Sequence, residues 1–221
     1  LPIYTAAAGV SAETVTTQSV LNETMTVASA GTLTKPGFTF VGWNTAADGS
    51  GTDYPVGYQF VPQGPIKLYA EWNYVVTYDG NGYSSGSVPD SVTVKSSIST
   101  ITLDSGTALA RAGYTLTGWN TLANGSGTNY PLGTANWKST AGDITLYAQW
   151  TAVISFNLNG ADTGTVPSSV TTTGTGNGTF SLPNPTNVKK AGLTFAGWNT
   201  SKFGTGTSYP GGASYTVTGA A

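Results

Sequence analysis

Residues 113–131 read GYTLTGWNTLANGSGTNYP, and the fold follows from what this stretch contains and from where it recurs. Tyr114, Leu116 and their polar neighbours alternate as in a half-buried strand. A Gly-rich turn and the pair Tyr130-Pro131 then bring the chain back. Gly-Trp-Asn-Thr stands at 42–45, 118–121 and 197–200, so its tryptophans are spaced by 76 and 79 residues. A Tyr-Pro pair follows each tryptophan at the same distance, as Tyr54-Pro55, Tyr130-Pro131 and Tyr209-Pro210. Self-similarity at a fixed period is the mark of a repeat architecture.

Two further markers frame the repeat. LYAEW at 68–72 and LYAQW at 146–150 close the first two copies, and the third copy ends at Ala221 before such a strand. VVTY at 75–78 followed by DGNG, and VISF at 153–156 followed by NLNG, open the second and third copies as a strand and a tight turn. The first copy has a degenerate opening near Leu1. The boundaries are therefore 1–73, 74–151 and 152–221. Between copies the linkers are almost absent, which predicts a semi-rigid, elongated rod rather than flexible beads.

Alternation assigns faces. Phe38 with Phe40, Tyr114 with Leu116, and Leu193 with Phe195 share the face expected to be the core. Leu68, Ala70 and Trp72, like Leu146, Ala148 and Trp150, share a face in the closing strands, which predicts that Trp72 and Trp150 are buried. Strict alternation puts Trp43, Trp119 and Trp198 on the opposite face. Segments 107–112 and 183–190 have room for one short helix, with Pro183 and Pro185 weakening the second case, so little helix is expected.

Composition narrows the chemistry. The chain has 221 residues with 18 charged side chains, no His and no Cys, 38 Thr, 30 Gly and 25 aromatic residues. Without imidazole or thiol, zinc, copper and haem sites lose their usual ligands, and thiol catalysis is excluded. Arg111 is the one arginine and the net charge is −2, so there is no basic stripe for nucleic acid. No apolar run of 18 residues offers membrane insertion, and the N-terminus is not a signal peptide, so a soluble, already processed piece is expected. Aromatic and β-branched residues argue for a folded, mainly β chain.

An opening strand ending in Asn-Gly, a middle Gly-Tyr/Phe-Thr-x-x-Gly-Trp and a closing Leu-Tyr-Ala-x-Trp together resemble the Listeria-Bacteroides repeat family, whose best-known members are internalin-type B-repeats. The resemblance covers nearly all of residues 9–221 and is strongest in the second copy. It implies three tandem β-grasp-like domains. It also implies an extracellular role on a prokaryotic cell surface, as stalk, spacer, adhesin or fibre component, with no catalysis and no cofactor.

Candidate sites follow. Trp43, Trp119 and Trp198 with Tyr54, Tyr130 and Tyr209 form either a packing clamp on each Gly-rich loop or one stacking platform per repeat for cell-surface or matrix glycans. Leu1, Ile3 and Tyr4, in the extended segment 1–10, are candidates for a donor strand entering the incomplete third copy of a neighbouring molecule, which would polymerise the chain head to tail. The plainer reading is that both ends only mark where the chain was cut. Asn22, Asn124, Asn177 and Asn199 head glycosylation sequons. Asp48 and Asp53 compose a calcium-like loop, but they align with Asn124 and Phe203, and with Asn129 and Ser208, so no metal site is expected. Asp79 and Asp53 are the only loop carboxylates in reach of hydrolase chemistry, and they are isolated. A self-formed Lys–Asn cross-link finds no support, because the seven lysines mostly abut turns.

Overall fold

The computed structural model describes residues 3–5, 23–97, 99–172 and 176–217. Every regular element among these residues is a β-strand, as the composition predicts. Segments 107–112 and 183–190, which had room for a short helix, hold none, in line with the little helix expected. In the first segment the backbone of Leu109–Ala110 is taken up by a ladder with Ser85–Gly86. In the second, Pro183 and Pro185 remove donors and disfavour helical dihedrals in the residues before them.

The chain divides into two compact units. One comprises Leu1–Tyr78, Pro89–Asp104 and Gly133–Leu146, the other Asp79–Val88, Ser105–Leu132 and Tyr147–Ala221, so the middle repeat contributes residues to both.

In the first unit the strand Thr39–Asn44 pairs antiparallel with Asp53–Tyr54 on one side and with Lys67–Asp79 on the other. Lys67–Asp79 is 13 residues long and joins the closing block of the first repeat to the opening block of the second without a break. Along its second half it pairs with Val92–Lys95. Ile3–Thr5 runs parallel to Lys67, Leu68 and Tyr69, so a short opening strand exists in the first copy after all.

The register of Thr39–Asn44 corrects the face assignment of the tryptophan. Phe40 opposes Trp72, Gly42 opposes Glu71, and Trp43 opposes Ala70. Three steps on one strand match two on the other, which is a one-residue β-bulge at Val41-Gly42. The extra residue resets the alternation, so Phe40 and Trp43 point the same way, toward Ala70 and Trp72. Their rings meet edge to face at 5.3 Å, and Phe40 meets Trp72 at 5.5 Å. Val27, Leu33 and Leu68 complete this core. Phe38 lies edge-on to Tyr74 at 5.8 Å.

The second unit repeats the device. Leu116 opposes Trp150, Gly118 opposes Gln149 and Trp119 opposes Ala148, with the same shift between Leu116 and Gly118. On the far side Thr115–Asn120 pairs with Asn129–Pro131. The opening turn of this copy is fastened by Asn81, at φ 46°, whose amide nitrogen donates to the carbonyls of Ala123 and Ala148, both at 2.8 Å. Trp150 donates to the Gly80 carbonyl at 3.0 Å. In the third copy the middle strand is reduced to Trp198–Asn199, paired with Ser208–Tyr209, beside a second ladder of Gly178–Ser181 with Ser214–Val217.

Glycine at the bulge is required by close approach. A Cβ on Gly42, at φ 149°, would lie 2.8 Å from the Tyr54 carbonyl oxygen, and one on Gly118 would lie 2.6 Å from that of Tyr130. We expect Gly42→Ala to cost about 2–4 kcal/mol through this overlap and the dihedral strain. Gly64→Ala, in open space, should stay within about 0.5 kcal/mol of wild type. Calorimetric unfolding of the two variants checks the contrast, and equal stabilities would refute the close-approach argument.

Candidate functional site

Each residue of Gly-Trp-Asn-Thr has a separate physical task, and the task is the same in every copy. Glycine admits the Tyr-Pro backbone. Tryptophan enters the core. Its ring nitrogen is satisfied from the loop behind it: Trp43 Nε1 donates to Ala28 O at 2.8 Å and Trp198 Nε1 to Pro183 O at 2.7 Å. Such a partner is what a buried indole N–H requires.

The asparagine staples the Gly-rich loop. Asn44 Oδ1 accepts from the amides of Ala46 (2.7 Å) and Gly51 (3.1 Å), while Nδ2 donates to Gly49 O (3.3 Å), Gly51 O (3.2 Å) and Asp53 Oδ1 (2.7 Å). Asn120 takes Leu122, Gly127, Gly125 and Asn129 in the same geometry, and Asn199 takes Ser201, Gly206, Gly204 and Ser208. The threonine hydroxyl accepts the amide seven residues on, from Thr52 to Thr45, Thr128 to Thr121 and Thr207 to Thr200, at 2.9–3.0 Å. The sequence reading gives these Asn and Thr residues no structural role and names only Asn199, as a glycosylation candidate. The signal was present in their recurrence beside a Gly-rich loop whose buried backbone groups need partners.

The tryptophans differ in exposure. Trp43 is 3% exposed and Trp119 is fully buried. Trp198 is half-buried, as are Tyr54, Tyr130 and Tyr209. A stacking platform repeated once per copy therefore has no open indole face in the first two copies. In the third, a cavity of about 800 Å³ is lined by Phe156, Leu182, Phe195, Trp198, Tyr209 and Tyr215. Phe156 and Phe195 hold the Trp198 ring at 4.8 and 5.2 Å.

The charged candidates fall into two kinds. Asp48 caps its own turn: its Oδ1 accepts the Ser50 hydroxyl at 2.6 Å and the Ser50 amide at 3.0 Å, and these bonds hold its carboxyl below the usual carboxylate range. Asp53 instead meets a partner the sequence did not reveal. Lys95 Nζ lies 2.7 Å from Asp53 Oδ1 and 3.5 Å from Glu71 Oε2, and Ser97 Oγ donates to Glu71 Oε2 at 2.8 Å. The hydrogen bond from Lys95, with one from Asn44, depresses the Asp53 pKa; burial opposes. Burial by itself would lower the Lys95 pKa, and the two carboxylates outweigh it and raise the value. This meeting depends on the pairing of Lys95 with Asn73 across strands, a long-range register that no local pattern encodes.

Among the glycosylation candidates, Asn124 and Asn177 are exposed, Asn199 has its amide nitrogen engaged as above, and Asn22 lies outside the described residues. Asn177 Oδ1 accepts from Arg111 at 3.0 Å. Of the donor-strand candidates, Leu1 lies outside the described residues, and the backbone of Ile3 and Tyr4 belongs to the parallel ladder with Lys67 and Leu68.

The profile of the Listeria-Bacteroides repeat domain matches residues 4–71, 74–149 and 153–221. A putative Gly-rich membrane protein of Evansella cellulosilytica is 38% identical over 183 residues, which is 78% of this chain and 20% of that protein. Internalin H of Listeria monocytogenes is 37% identical over 149 residues, 66% of this chain and 24% of that protein. A putative membrane protein of Evansella cellulosilytica is 37% identical over 124 residues, with 52% and 17% covered. The chain thus spans about a quarter or less of the length of these relatives. No solved structure matches.

Two outcomes follow from the staple. Asn120→Ala is expected to lose about 2–4 kcal/mol, because several loop groups lose their partner at once. Thermal unfolding checks this, and a loss below 1 kcal/mol would reduce the side chain to a spectator. When the chain is secreted from an N-glycosylating host, peptide mapping should find glycan on Asn124 and none on Asn199, whose amide nitrogen is held in the loop.

Proposed function

The chain belongs to the Listeria-Bacteroides repeat family, and from that premise we propose that it is the repeat region of an extracellular prokaryotic surface protein, serving as a stalk or adhesin segment without catalysis. The observation that carries the reading is the use made of the repeated residues. In each copy the Gly, Trp, Asn, Thr and Tyr-Pro positions are consumed in packing and loop stapling, so what recurs in the sequence specifies a shape and leaves no recurrent reactive group. A chain that repeats a shape acts by length, stiffness and spacing. Likeness to Internalin H and to two proteins named as membrane proteins supports placement at the cell envelope. The grasp-type arrangement implied by the resemblance agrees with the parallel contact between Ile3–Thr5 and Lys67–Asp79.

A head-to-tail polymer is a finer form of the same role. Its support is the cavity of the third copy, where no strand among the described residues stands beside Trp198 as Lys67–Asp79 stands beside Trp43. Exchange through residues 1–10 would first require Ile3–Thr5 to leave Lys67–Tyr69. Electron microscopy of the chain with and without residues 1–10 separates the two forms: filaments that vanish on deletion support exchange, and monomers in both samples leave a stalk without it.

Antibodies against the purified chain are expected to label intact, unpermeabilised source cells. Labelling that appears only after permeabilisation would overturn the surface role.

A further inference from the structure

The Asp53, Glu71 and Lys95 cluster is more than loop packing needs. Glu71 is 3% exposed, and the cluster holds two carboxylates for one ammonium. An ion pair at such a partly exposed site contributes only about 0–1 kcal/mol, and a buried carboxylate adds a desolvation cost. The second repeat shows that neutral side chains do the structural job. Asn129 replaces Asp53 and Gln149 replaces Glu71, and no Lys or Arg occurs between residues 151 and 188. The loop staple is intact there, with Asn120 bonded to Asn129. The three charges meet where the first copy joins the second, and all three are absent where the second joins the third, as expected of groups that act as a unit.

We propose that Lys95 and Asp53 condense to an intramolecular amide, with Glu71 as the proton-transfer group, and that a covalent cross-link thereby joins a strand of the first repeat to the strand Val92–Lys95 of the second. The reaction joins an ammonium and a carboxylate to give an amide and water. One bond forms between Lys95 Nζ and Asp53 Cγ, and one Asp53 C–O bond breaks. Of the three ammonium protons, one stays on the amide nitrogen and two leave in the water with the Asp53 oxygen. The opposite charges cancel, and no oxidant or co-reactant is needed.

The geometry supplies what this step requires. Asp53 is fixed by its register with Asn44, and Lys95 by its register with Asn73, so the reacting groups are held at 2.7 Å by strands rather than by flexible loops. Effective concentrations for such fixed pairs reach about 10⁵–10⁸ M. The pair alone would remain a salt bridge, because each ion stabilises the other. Glu71 also attracts the ammonium, and it supplies the proton route out of that state: its carboxylate, 3.5 Å from Nζ and withdrawn from water, accepts an ammonium proton and passes it to the departing oxygen. Asn44 Nδ2, at 2.7 Å from Asp53 Oδ1, donates to the oxygen on which negative charge develops when nitrogen adds to Cγ. The link would clip the strand after the Gly-rich loop to Val92–Lys95, closing a span of 42 residues. In a segment that bears load, such a clip limits how far the chain extends when pulled.

Intact-mass spectrometry of the purified chain decides. Wild type is expected to be lighter than its sequence mass by one water, and a tryptic map should show the Asp53 and Lys95 peptides joined. Lys95→Arg and Asp53→Ala should have full mass. Glu71→Gln, which keeps both reacting groups, should also have full mass. Wild type at full sequence mass after prolonged incubation would overturn the proposal, whatever the variants do. Loss of water persisting in Glu71→Gln would remove Glu71 from the mechanism.

Discussion

The close contact between a glycine and the carbonyl of the tyrosine that follows it governs the repeat. Thr39–Asn44 must approach the Tyr54-Pro55 backbone more closely than a Cβ allows, and the bulge that accompanies this approach places an extra residue at Val41-Gly42. That extra residue shifts the parity of the strand by one. Without it Trp43 would face away from Phe40; with it the two rings and Trp72 form one cluster. The fixed distance from each tryptophan to its Tyr-Pro pair follows directly. The loop between them must leave the strand at the bulge, make its turn around the asparagine side chain, and return in register with the tryptophan.

Units this small bury a limited fraction of their surface and gain from what adjoins them. Here the first repeat gains from the second through a single uninterrupted strand. Lys67–Asp79 presents Leu68, Ala70 and Trp72 to the first repeat's core and continues as Tyr74, Val76 and Tyr78, all buried. Phe38 of the first copy packs on Tyr74, and the Tyr74 hydroxyl accepts the Ser139 amide at 3.1 Å. Severing the chain between these blocks would expose apolar residues on both sides of the cut, which is the physical reason the linker has no length.

The sequence revealed a good deal of this and missed the rest for identifiable reasons. Three copies, strand content and the burial of Trp72 and Trp150 were readable because each rests on local periodicity. The faces of Trp43 and Trp119 were misassigned because strict alternation was carried through a glycine, where a bulge was the alternative. Segments 107–112 and 183–190 hold no helix, in keeping with the little helix expected, because backbone pairing in the first and the prolines of the second outweigh weak local preference. The staple made by Asn44, Asn120 and Asn199 is not legible from residue type, because an asparagine beside a Gly-rich loop has the same composition as an exposed polar turn. The Asp53–Lys95–Glu71 cluster was not readable, because it is assembled from three strands whose register is set by tertiary pairing.

Repetition within one chain separates two kinds of constraint. Positions that agree across the copies, Gly, Trp, Asn, Thr and Tyr-Pro, are those without which the loop does not close and the core does not fill. Positions that differ are free of that requirement, and differences among them record something other than folding. Asp48 and Asn124 show the weak form of this freedom: each caps its turn by accepting from the serine two residues on, so the exchange of carboxylate for amide alters charge and leaves geometry alone. Asp53 with Glu71, against Asn129 with Gln149, is the strong form, because two coupled positions change together while the Asn44 and Asn120 staples beside them keep the same bonds. A fold indifferent to the charge of these groups cannot be the reason they are charged, so the reason lies in what the charged groups do to one another.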